Sequence, residues 1–247
     1  MTYEIIVQDL CKSFDGKTVL NKVNLEVAQG TSFVIIGGSG SGKSVLLKSM
    51  IGLLIPDAGS KVIFGGVDYS LIPINQRSKF LTKFGMLFQG GALFDSLTIW
   101  ENICFAVMKS GSMNGNKAYE YAIELLHNVG LRPDVAKLYP PELSGGMQKR
   151  AALARAIATK PSVIFFDEPT AGLDPIMSSV ISTLIADLSK KLGATTITIT
   201  HDMRCVEIIA NQVAMIHQGT IAWQGDKSEL FKTKDKVVNN FVNGSTD

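Results

Sequence analysis

The chain has 247 residues, a hydrophobic fraction of 46% and a formal net charge of +2. This length suffices for one sizeable buried core. The near-neutral charge, without a polybasic run, does not favour nucleic acid or an anionic lipid surface as a partner. The longest apolar runs, such as residues 51–55 and 163–166, are far shorter than the ~20 residues needed to cross a bilayer, so we predict no membrane span.

The cysteines Cys11, Cys104 and Cys205 are widely separated and include no CxxC pair. We predict buried free thiols in a reducing compartment rather than a disulfide or a metal site. Residues 1–10 lack the basic start and apolar run of a secretory signal, which makes the cytosol the expected location.

In chain order, short apolar runs rich in Val, Ile and Phe alternate with helical patterns. The runs are continuous rather than strictly alternating, which is typical of strands buried on both faces of a sheet. We therefore predict an α/β fold with a mostly parallel sheet. The predicted strands are 32–36, 85–88, 163–166, 195–200 and 213–217, and the predicted helices include 43–53 and 176–192.

A phosphate-binding loop follows the first of these strands. Residues 37–44 read GGSGSGKS and match the P-loop pattern between a strand and a helix. Glycines let the backbone curl so that N–H groups point at phosphate oxygens, and the helix N-terminus adds its positive end. Lys43 is predicted to reach the β- and γ-phosphates and the Ser44 hydroxyl to ligate Mg²⁺. A plain Gly/Ser turn is the alternative, which this placement disfavours. The residues assigned to the nucleotide are Gly37, Gly38, Ser39, Gly40, Ser41, Gly42, Lys43, Ser44 and Val45.

The middle of the chain differs from the rest. Residues 96–159 contain several helix-like segments, divided by the loop 111–115 and by a Pro-Pro pair, and no convincing strand. The simplest prediction is one domain spanning residues 1–247. Its core comprises residues 1–90 and 160–247, with a helical subdomain of about residues 91–159 inserted between them.

Two acids end the next apolar strand. Residues 163–168 read VIFFDE, which is a Walker B arrangement. Asp167 is expected to hold Mg²⁺, directly or through water, and Glu168 to polarise the attacking water. Acids can also simply cap a strand end or start a helix, but the upstream P-loop favours the chemical role.

The segment 143–146, LSGG followed by a helix, resembles the signature motif of ATP-binding-cassette (ABC) proteins. Ser144 and the amides of Gly145 and Gly146 would form a second anion site at a helix start. The resemblance implies a homodimer in which this turn closes over the γ-phosphate of ATP held by the partner's P-loop. A simple helix-entry turn is the alternative, which its order between the P-loop and Walker B weakens.

Other family elements follow in sequence. The resemblance implies a P-loop NTPase (RecA-like) core with an N-terminal antiparallel β portion. It assigns Gln89 to sensing Mg²⁺ and the attacking water, residues 171–174 to the D-loop at the dimer interface, and His201 to the γ-phosphate. Phe14 stands where the family stacks an aromatic ring on adenine, although a lone Phe is more often a core residue. Gly38 departs from the proline of many relatives without removing a phosphate contact.

Further segments are similar to the ATPases of Mla-type phospholipid transporters: residues 88–98, FQGGALFDSLT, with 100–103, WENI, after them, residues 147–158, MQKRAALARAIA, and residues 174–176, DPI. That resemblance implies two ATPase subunits bound to permease subunits at the cytoplasmic face of the inner membrane. It also implies a periplasmic Mce-type lipid-binding protein, and some such assemblies add a small regulatory subunit. The implied function is phospholipid transport between the inner and outer membranes.

Apolar Ala92, Leu93, Phe94 and Leu97 lie beside Gln89 and are predicted to receive a permease helix, the alternative being packing within the helical subdomain. The cargo has a serious alternative: the chain could be a transporter ATPase for another cargo, such as amino acids or metal complexes.

Two other functions are disfavoured. A soluble cassette ATPase of DNA repair or ribosomes usually carries a coiled-coil insertion or a second cassette, and this sequence has neither. A nucleotide-binding regulator without hydrolysis would not need Gln89, Glu168 and His201 together.

Overall fold

The computed structural model describes residues 3–73, 76 and 81–244. Within them the central sheet has six strands, of which only the last in chain order pairs antiparallel with its neighbour. The predicted α/β fold with a mostly parallel sheet is confirmed. Across the sheet the strands are β10 (Thr220–Asp226), β9 (Gln212–His217), β3 (Ser32–Ile36), β8 (Thr195–Ile199), β7 (Val163–Asp167) and β6 (Phe84–Leu87).

A second, antiparallel sheet of four strands packs on the central one. The Phe64 ring of this sheet contacts the Phe165 ring of the central sheet edge to face, with centroids 6.3 Å apart. The N-terminal antiparallel portion implied by the family resemblance is thus present. Its strands lie in the order β2 (Lys17–Ala28), β1 (Tyr3–Phe14), β4 (Lys61–Phe64) and β5 (Val67–Asp68).

The central strands are buried on both faces, which explains their continuous apolar runs. In β3, Val34 and Ile36 enter one hydrophobic core, whereas Phe33 and Ile35 enter the other. The first core lies against the helices of the middle of the chain, and the second lies between the two sheets.

Helices cover the remaining surfaces. Residues 96–159 form helices and 3₁₀ turns without a strand, as predicted. The α-helices of the described residues are α1 (Lys43–Met50), α2 (Ile99–Lys109), α3 (Gly115–Asn128), α4 (Gly145–Ile157), α5 (Pro175–Leu192), α6 (Met203–Ile209), α7 (Lys227–Leu230) and α8 (Lys236–Asn243), and the 3₁₀ turns are Tyr69–Leu71, Pro133–Lys137 and Pro140–Glu142.

The predicted helix 43–53 is too long. Helix α1 ends at Met50, because Gly52 takes a left-handed conformation with φ of 76°. A Cβ at Gly52 would lie 2.1 Å from the Tyr69 hydroxyl, so this close approach needs glycine. The other predicted elements listed above agree with the structure to within one residue at each end.

Two further predictions have mixed outcomes. All three cysteines are free; Cys104 and Cys205 are buried, but Cys11 on β1 is only half-buried and its predicted burial is wrong. Among the described residues, no helix has the length and hydrophobicity that a bilayer crossing requires. Residues 1–2 and 245–247, which end the predicted domain, lie outside the described residues.

Candidate active site

The candidate residues meet at one edge of the central sheet. Strands β3, β6, β7 and β8 run parallel, so their carboxyl ends point the same way. The P-loop, the Gln89 loop, the acid pair and His201 each follow one of these strands directly. Ligands of open α/β sheets bind in this position.

The P-loop is pressed against the strands behind it. A Cβ at Gly37 would lie 2.4 Å from the Ile216 carbonyl oxygen, and one at Gly42 would lie 2.8 Å from the Leu20 side chain. Gly42 caps helix α1 in the left-handed region with φ of 107°. These two positions therefore require glycine. At Gly38, by contrast, a Cβ meets no atom within 4 Å, so a side chain there is sterically tolerated.

Lys43 lies at the first position of α1 and reaches back over the loop. Its Nζ donates to the carbonyl oxygens of Gly37 at 2.7 Å and Gly38 at 2.9 Å. The side chain is buried, and burial lowers its pKa, while Asp167 and Glu168 oppose that shift. The ammonium group thus stands between the phosphate loop and the two acids.

Asp167 ends strand β7 in a buried position. Its Oδ1 has no hydrogen-bond partner among the described residues. Burial raises the pKa of its carboxyl, and the cations of Lys48, Lys149 and Lys43 oppose that shift. A buried carboxylate oxygen with an unused lone pair suits a hard divalent cation such as Mg²⁺, and Ser44 supplies an exposed hydroxyl on α1.

Glu168 and His201 form a pair across the ends of β7 and β8. Glu168 Oε2 lies 3.0 Å from His201 Nδ1, and the Glu168 amide donates to the Ile199 carbonyl at 3.0 Å. Glu168 adopts a left-handed conformation with φ of 46°, which is costly for a side chain of this size. The Glu168 side chain is 11% exposed, whereas the His201 side chain is 65% exposed.

The signature turn presents a free helix N-terminus. Ser144 caps α4, and its Oγ accepts from the Met147 amide at 3.4 Å. Ser144 and Gly145 are exposed. No hydrogen bond or ion pair within the described residues joins Ser144 to Lys43, so this anion site does not complete the P-loop through such a contact in the same chain.

Comparison with known proteins decides the family. The sequence pattern of the ABC transporter family matches residues 20–171, more than half of the chain. The chain belongs to the ABC transporter family. It is an ATP-hydrolysing transporter subunit, and the match includes the P-loop, the signature turn and the acid pair.

Relatives whose names give different cargoes have nearly the same sequence identity to this chain. The chain is 36% identical over 244 residues to the probable ribonucleotide transport ATP-binding protein mkl of Mycobacterium leprae, covering 99% of this chain and 70% of mkl. It is 37% identical over 243 residues to the intermembrane phospholipid transport system ATP-binding protein MlaF of Haemophilus influenzae, covering 98% and 91%. The methionine import ATP-binding protein MetN of Lactobacillus johnsonii is 36% identical over 250 residues, with 99% and 71% covered.

Solved cassettes share the fold. A dimeric post-hydrolysis state of the ATP-binding cassette MJ0796 bound to ADP and Pi superposes with a TM-score of 0.83 at 28% identity, covering 90% of this chain and 98% of that one. The P-loop NTPase fold implied by the family resemblance is therefore confirmed.

Two anchors fix the loop that follows Gln89, and neither is evident in the family motifs. The Lys149 ammonium donates to the Gln89 carbonyl oxygen, while the Gln89 side chain is exposed. The Arg155 guanidinium donates to the Gly91 and Ala92 carbonyls, each at 2.7 Å. Both cations project from α4, the helix that begins with the signature turn.

The loop then forms an apolar groove on the surface of this ABC subunit. The rings of Phe94 and Phe105 lie 4.9 Å apart and both are exposed. Fully buried Asn102 braces the loop: its Oδ1 accepts from the Phe94 amide at 2.7 Å, and its Nδ2 donates to three carbonyls at 3.0 Å. The sequence predicts an apolar docking segment here, but it gives no sign that Asn102 shapes the segment.

Carboxylates hold both ends of the predicted D-loop, residues 171–174. Asp174 accepts from the Ile176 and Met177 amides at 2.9 Å and begins α5. Before the loop, the Thr170 hydroxyl donates to Asp202 at 2.9 Å, which ties it to the residue after His201. This brace was not predicted, because it joins segments that are 32 residues apart.

Phe14 has one open ring face at the end of β1. It is 41% exposed, and Lys12 Nζ lies 5.2 Å from the ring centroid. Lys12 also pairs with Asp57 at 3.5 Å. This exposure suits a stacking partner, and the role of Phe14 toward adenine stays a prediction.

Proposed function

We propose that this subunit hydrolyses ATP as a head-to-tail homodimer and drives phospholipid transport between the inner and outer membranes. The observation that supports the dimer is that the chain offers two phosphate-binding elements, and that no hydrogen bond or ion pair joins Ser144 to Lys43 among the described residues. The P-loop and the exposed Ser144 turn each offer backbone amides at a helix start. A partner copy would bring its Ser144, Gly145 and Gly146 over the ATP held by the first copy's P-loop.

The nucleotide is held by the loop 37–45, with Lys43 turned from its carbonyl partners to the β- and γ-phosphates. Ser44, Asp167 and Gln89 are the proposed ligands of Mg²⁺. Bound there, Mg²⁺ would neutralise charge that develops on the phosphate oxygens. The unpartnered Asp167 Oδ1 supports this assignment, since metal binding would satisfy it.

Glu168 orients and deprotonates the attacking water in this proposal. His201, 3.0 Å from the carboxylate in this conformation, contacts the γ-phosphate once the site closes. Lys43 and His201 then stabilise the charge that develops on that phosphate. Product release reopens the dimer.

The apolar groove beside Gln89 receives a helix of the permease. Its exposed Phe94 and Phe105 rings supply apolar surface, and Arg155 and Asn102 hold its backbone in shape. The groove belongs to the proposed helical subdomain, residues 91–159, inserted into a core of residues 1–90 and 160–247. Movement of that subdomain relative to the P-loop would then reach the permease.

The phospholipid cargo is supported by kinship. MlaF, whose name gives intermembrane phospholipid transport, aligns over 91% of its own length, whereas mkl and MetN align over 70% and 71%. Permease subunits, an Mce-type lipid-binding protein and in some assemblies a small regulatory subunit are the partners that this kinship implies. The subunit would then act at the cytoplasmic face of the inner membrane.

Affinity purification of the tagged chain from its native membranes, in a detergent that preserves transporter complexes, tests the cargo. We expect a permease and an Mce-type protein to co-purify, with phospholipid bound to the complex. Recovery of an amino-acid permease with a solute-binding protein, or of a metal-complex permease, would replace the lipid proposal and leave the ATPase assignment intact.

A further inference from the structure

Helix α4 and the Gln89 loop are joined face to face. Three carbonyls of the loop, from Gln89, Gly91 and Ala92, accept hydrogen bonds from α4 side chains. A Cβ at Gly91 would lie 3.6 Å from the Ala152 Cβ, in ordinary contact, so the loop backbone packs directly on the helix. The loop is therefore anchored to α4 and not only to the strand β6 that precedes it.

The Lys149 anchor lies deep in the active site. Lys149 is 6% exposed, and burial lowers its pKa, with Asp167 and Glu168 opposing that shift. Its ammonium group is thus close enough to both acids to feel their charge. Burying an ammonium is costly unless it is paired and hydrogen-bonded. The hydrogen bond to the Gln89 carbonyl supplies part of that compensation here.

We propose that Lys149 is a positioning residue, which holds Gln89 beside the metal site through the Gln89 backbone carbonyl. The inference rests on the proposed role of Gln89 as a metal ligand. The proposed role of Lys149 also gives helix α4, which begins at the signature turn, a second function. Because Lys149 lies in the second turn of α4, the helix that Ser144 caps, it fixes Gln89 relative to the signature turn.

The consequence is a link between the two nucleotides of the dimer. Gln89 acts on the nucleotide of its own subunit, whereas Ser144 acts on that of the partner. A shift of α4 that brings Ser144 onto the partner's phosphate would carry Gln89 with it through Lys149. Metal coordination in one site would then depend on closure over the other.

Two simpler roles for Lys149 make different predictions. If Lys149 only fills space, its loss lowers stability and leaves the metal dependence of hydrolysis unchanged. If it acts only through its charge, its loss removes a cation near the acids and strengthens Mg²⁺ binding. A positioning role predicts weaker Mg²⁺ binding, because outer-shell partners of metal ligands typically contribute about 10–100-fold to metal affinity.

The test is a Mg²⁺ titration of ATP hydrolysis by the full chain. Lys149→Met should raise the Mg²⁺ concentration for half-maximal hydrolysis about 10-fold. Affinity for a fluorescent ATP analogue in excess chelator should stay the same. Lys149→Arg keeps the charge and the donors. It should therefore return the Mg²⁺ concentration for half-maximal hydrolysis, the half-point, toward the wild-type value. Arg150→Met, which removes the neighbouring cation of α4 that donates to the Gly130 carbonyl and not to the Gln89 loop, should leave the half-point unchanged.

Amide hydrogen exchange gives a readout independent of activity. Peptides covering residues 88–92 should exchange faster in Lys149→Met than in wild type. Lys149→Leu, which also removes both the charge and the donor, is the second variant if Lys149→Met does not fold, and carries the same expectations.

The same titration of Gln89→Ala separates this inference from the proposed function. An unchanged or lower half-point in the Lys149 variants, with a raised one in Gln89→Ala, overturns this inference alone. An unchanged half-point in Gln89→Ala itself removes Gln89 from the proposed metal site and overturns this inference with it.

Discussion

The Glu168 carboxylate lies 3.0 Å from the Nδ1 atom of His201, and the Glu168 backbone is strained with φ of 46°. The pair joins the carboxyl ends of two neighbouring parallel strands, β7 and β8. Strain of this kind persists only where surrounding structure holds it, and it collects at functional sites. The strained backbone here belongs to Glu168, the residue proposed to activate water.

Replacement of Glu168 by Gln should abolish turnover but not folding. Glutamine keeps the size and the acceptor that faces His201, yet it cannot take a proton. We expect hydrolysis to fall about 100-fold or more. An ATP-bound dimer should then accumulate, seen by size-exclusion chromatography with light scattering. Glu207→Gln, at an exposed position, serves as the matched control. A Glu168→Gln variant that stays monomeric in ATP would argue against the paired arrangement.

Replacement of Lys43 by Ala should eliminate hydrolysis. The Lys43 ammonium is the cation buried beside the phosphate loop, and no shorter side chain reaches the loop carbonyls from α1. A loss of at least about 100-fold is expected, as for the removal of other groups that stabilise transition-state charge. Normal turnover would refute the P-loop assignment. Lys190→Ala, on the exposed end of α5, should leave turnover unchanged.

Asp167→Asn should stabilise the nucleotide-free protein while it abolishes Mg²⁺-dependent hydrolysis. Burial holds the Asp167 pKa above its ordinary value, so folding disfavours the ionised form. That cost is small below the ordinary pKa of ~4 and grows as pH rises above it. The gain in Tm should therefore be larger at pH 7 than at pH 4, at about 2–4 °C per kcal/mol for a chain of this size.

Thermal unfolding with chelator present measures this gain, and the exposed Asp187→Asn is the control for loss of an acid. A lower Tm for Asp167→Asn at neutral pH would contradict the electrostatic interpretation of this site.

Asn102→Ala should destabilise the fold and disturb the apolar groove. The substitution leaves the Phe94 amide and three loop carbonyls without the asparagine. We expect a loss of about 2–4 kcal/mol in the free energy of unfolding. Denaturant titration measures it, with Asn116→Ala on the exposed face of α3 as the control. Stimulation of hydrolysis by the permease should also fall. Unchanged stimulation would show that Asn102 does not contribute to permease docking.

Local patterns predicted the parts of the site that depend on neighbouring residues. The strand before the P-loop, the acids that end β7 and the cap at Ser144 are each encoded within a few positions, so the sequence was sufficient. The family order of the motifs then implied how they act together.

Contacts between distant segments could not be predicted in this way. Lys149 and Arg155 lie 60 or more residues from the carbonyls they hold, and nothing in a helical repeat distinguishes an anchoring cation from a surface one. Likewise, Gly52 leaves no room for a Cβ because the Tyr69 hydroxyl lies against it, and these two segments meet only in the folded chain.

Covalent cross-linking between differently tagged chains tests the paired site most directly. One chain would carry Ser39→Cys in the P-loop and the other Ser144→Cys at the signature turn, both at exposed positions. Both would also contain Glu168→Gln, and Cys11→Ser to remove the half-buried thiol. With a short bismaleimide, we expect a cross-linked dimer of the two different chains in ATP and none without nucleotide. It would be contradicted by the lack of that dimer in ATP, with a cross-link forming instead within a single chain that carries both cysteines.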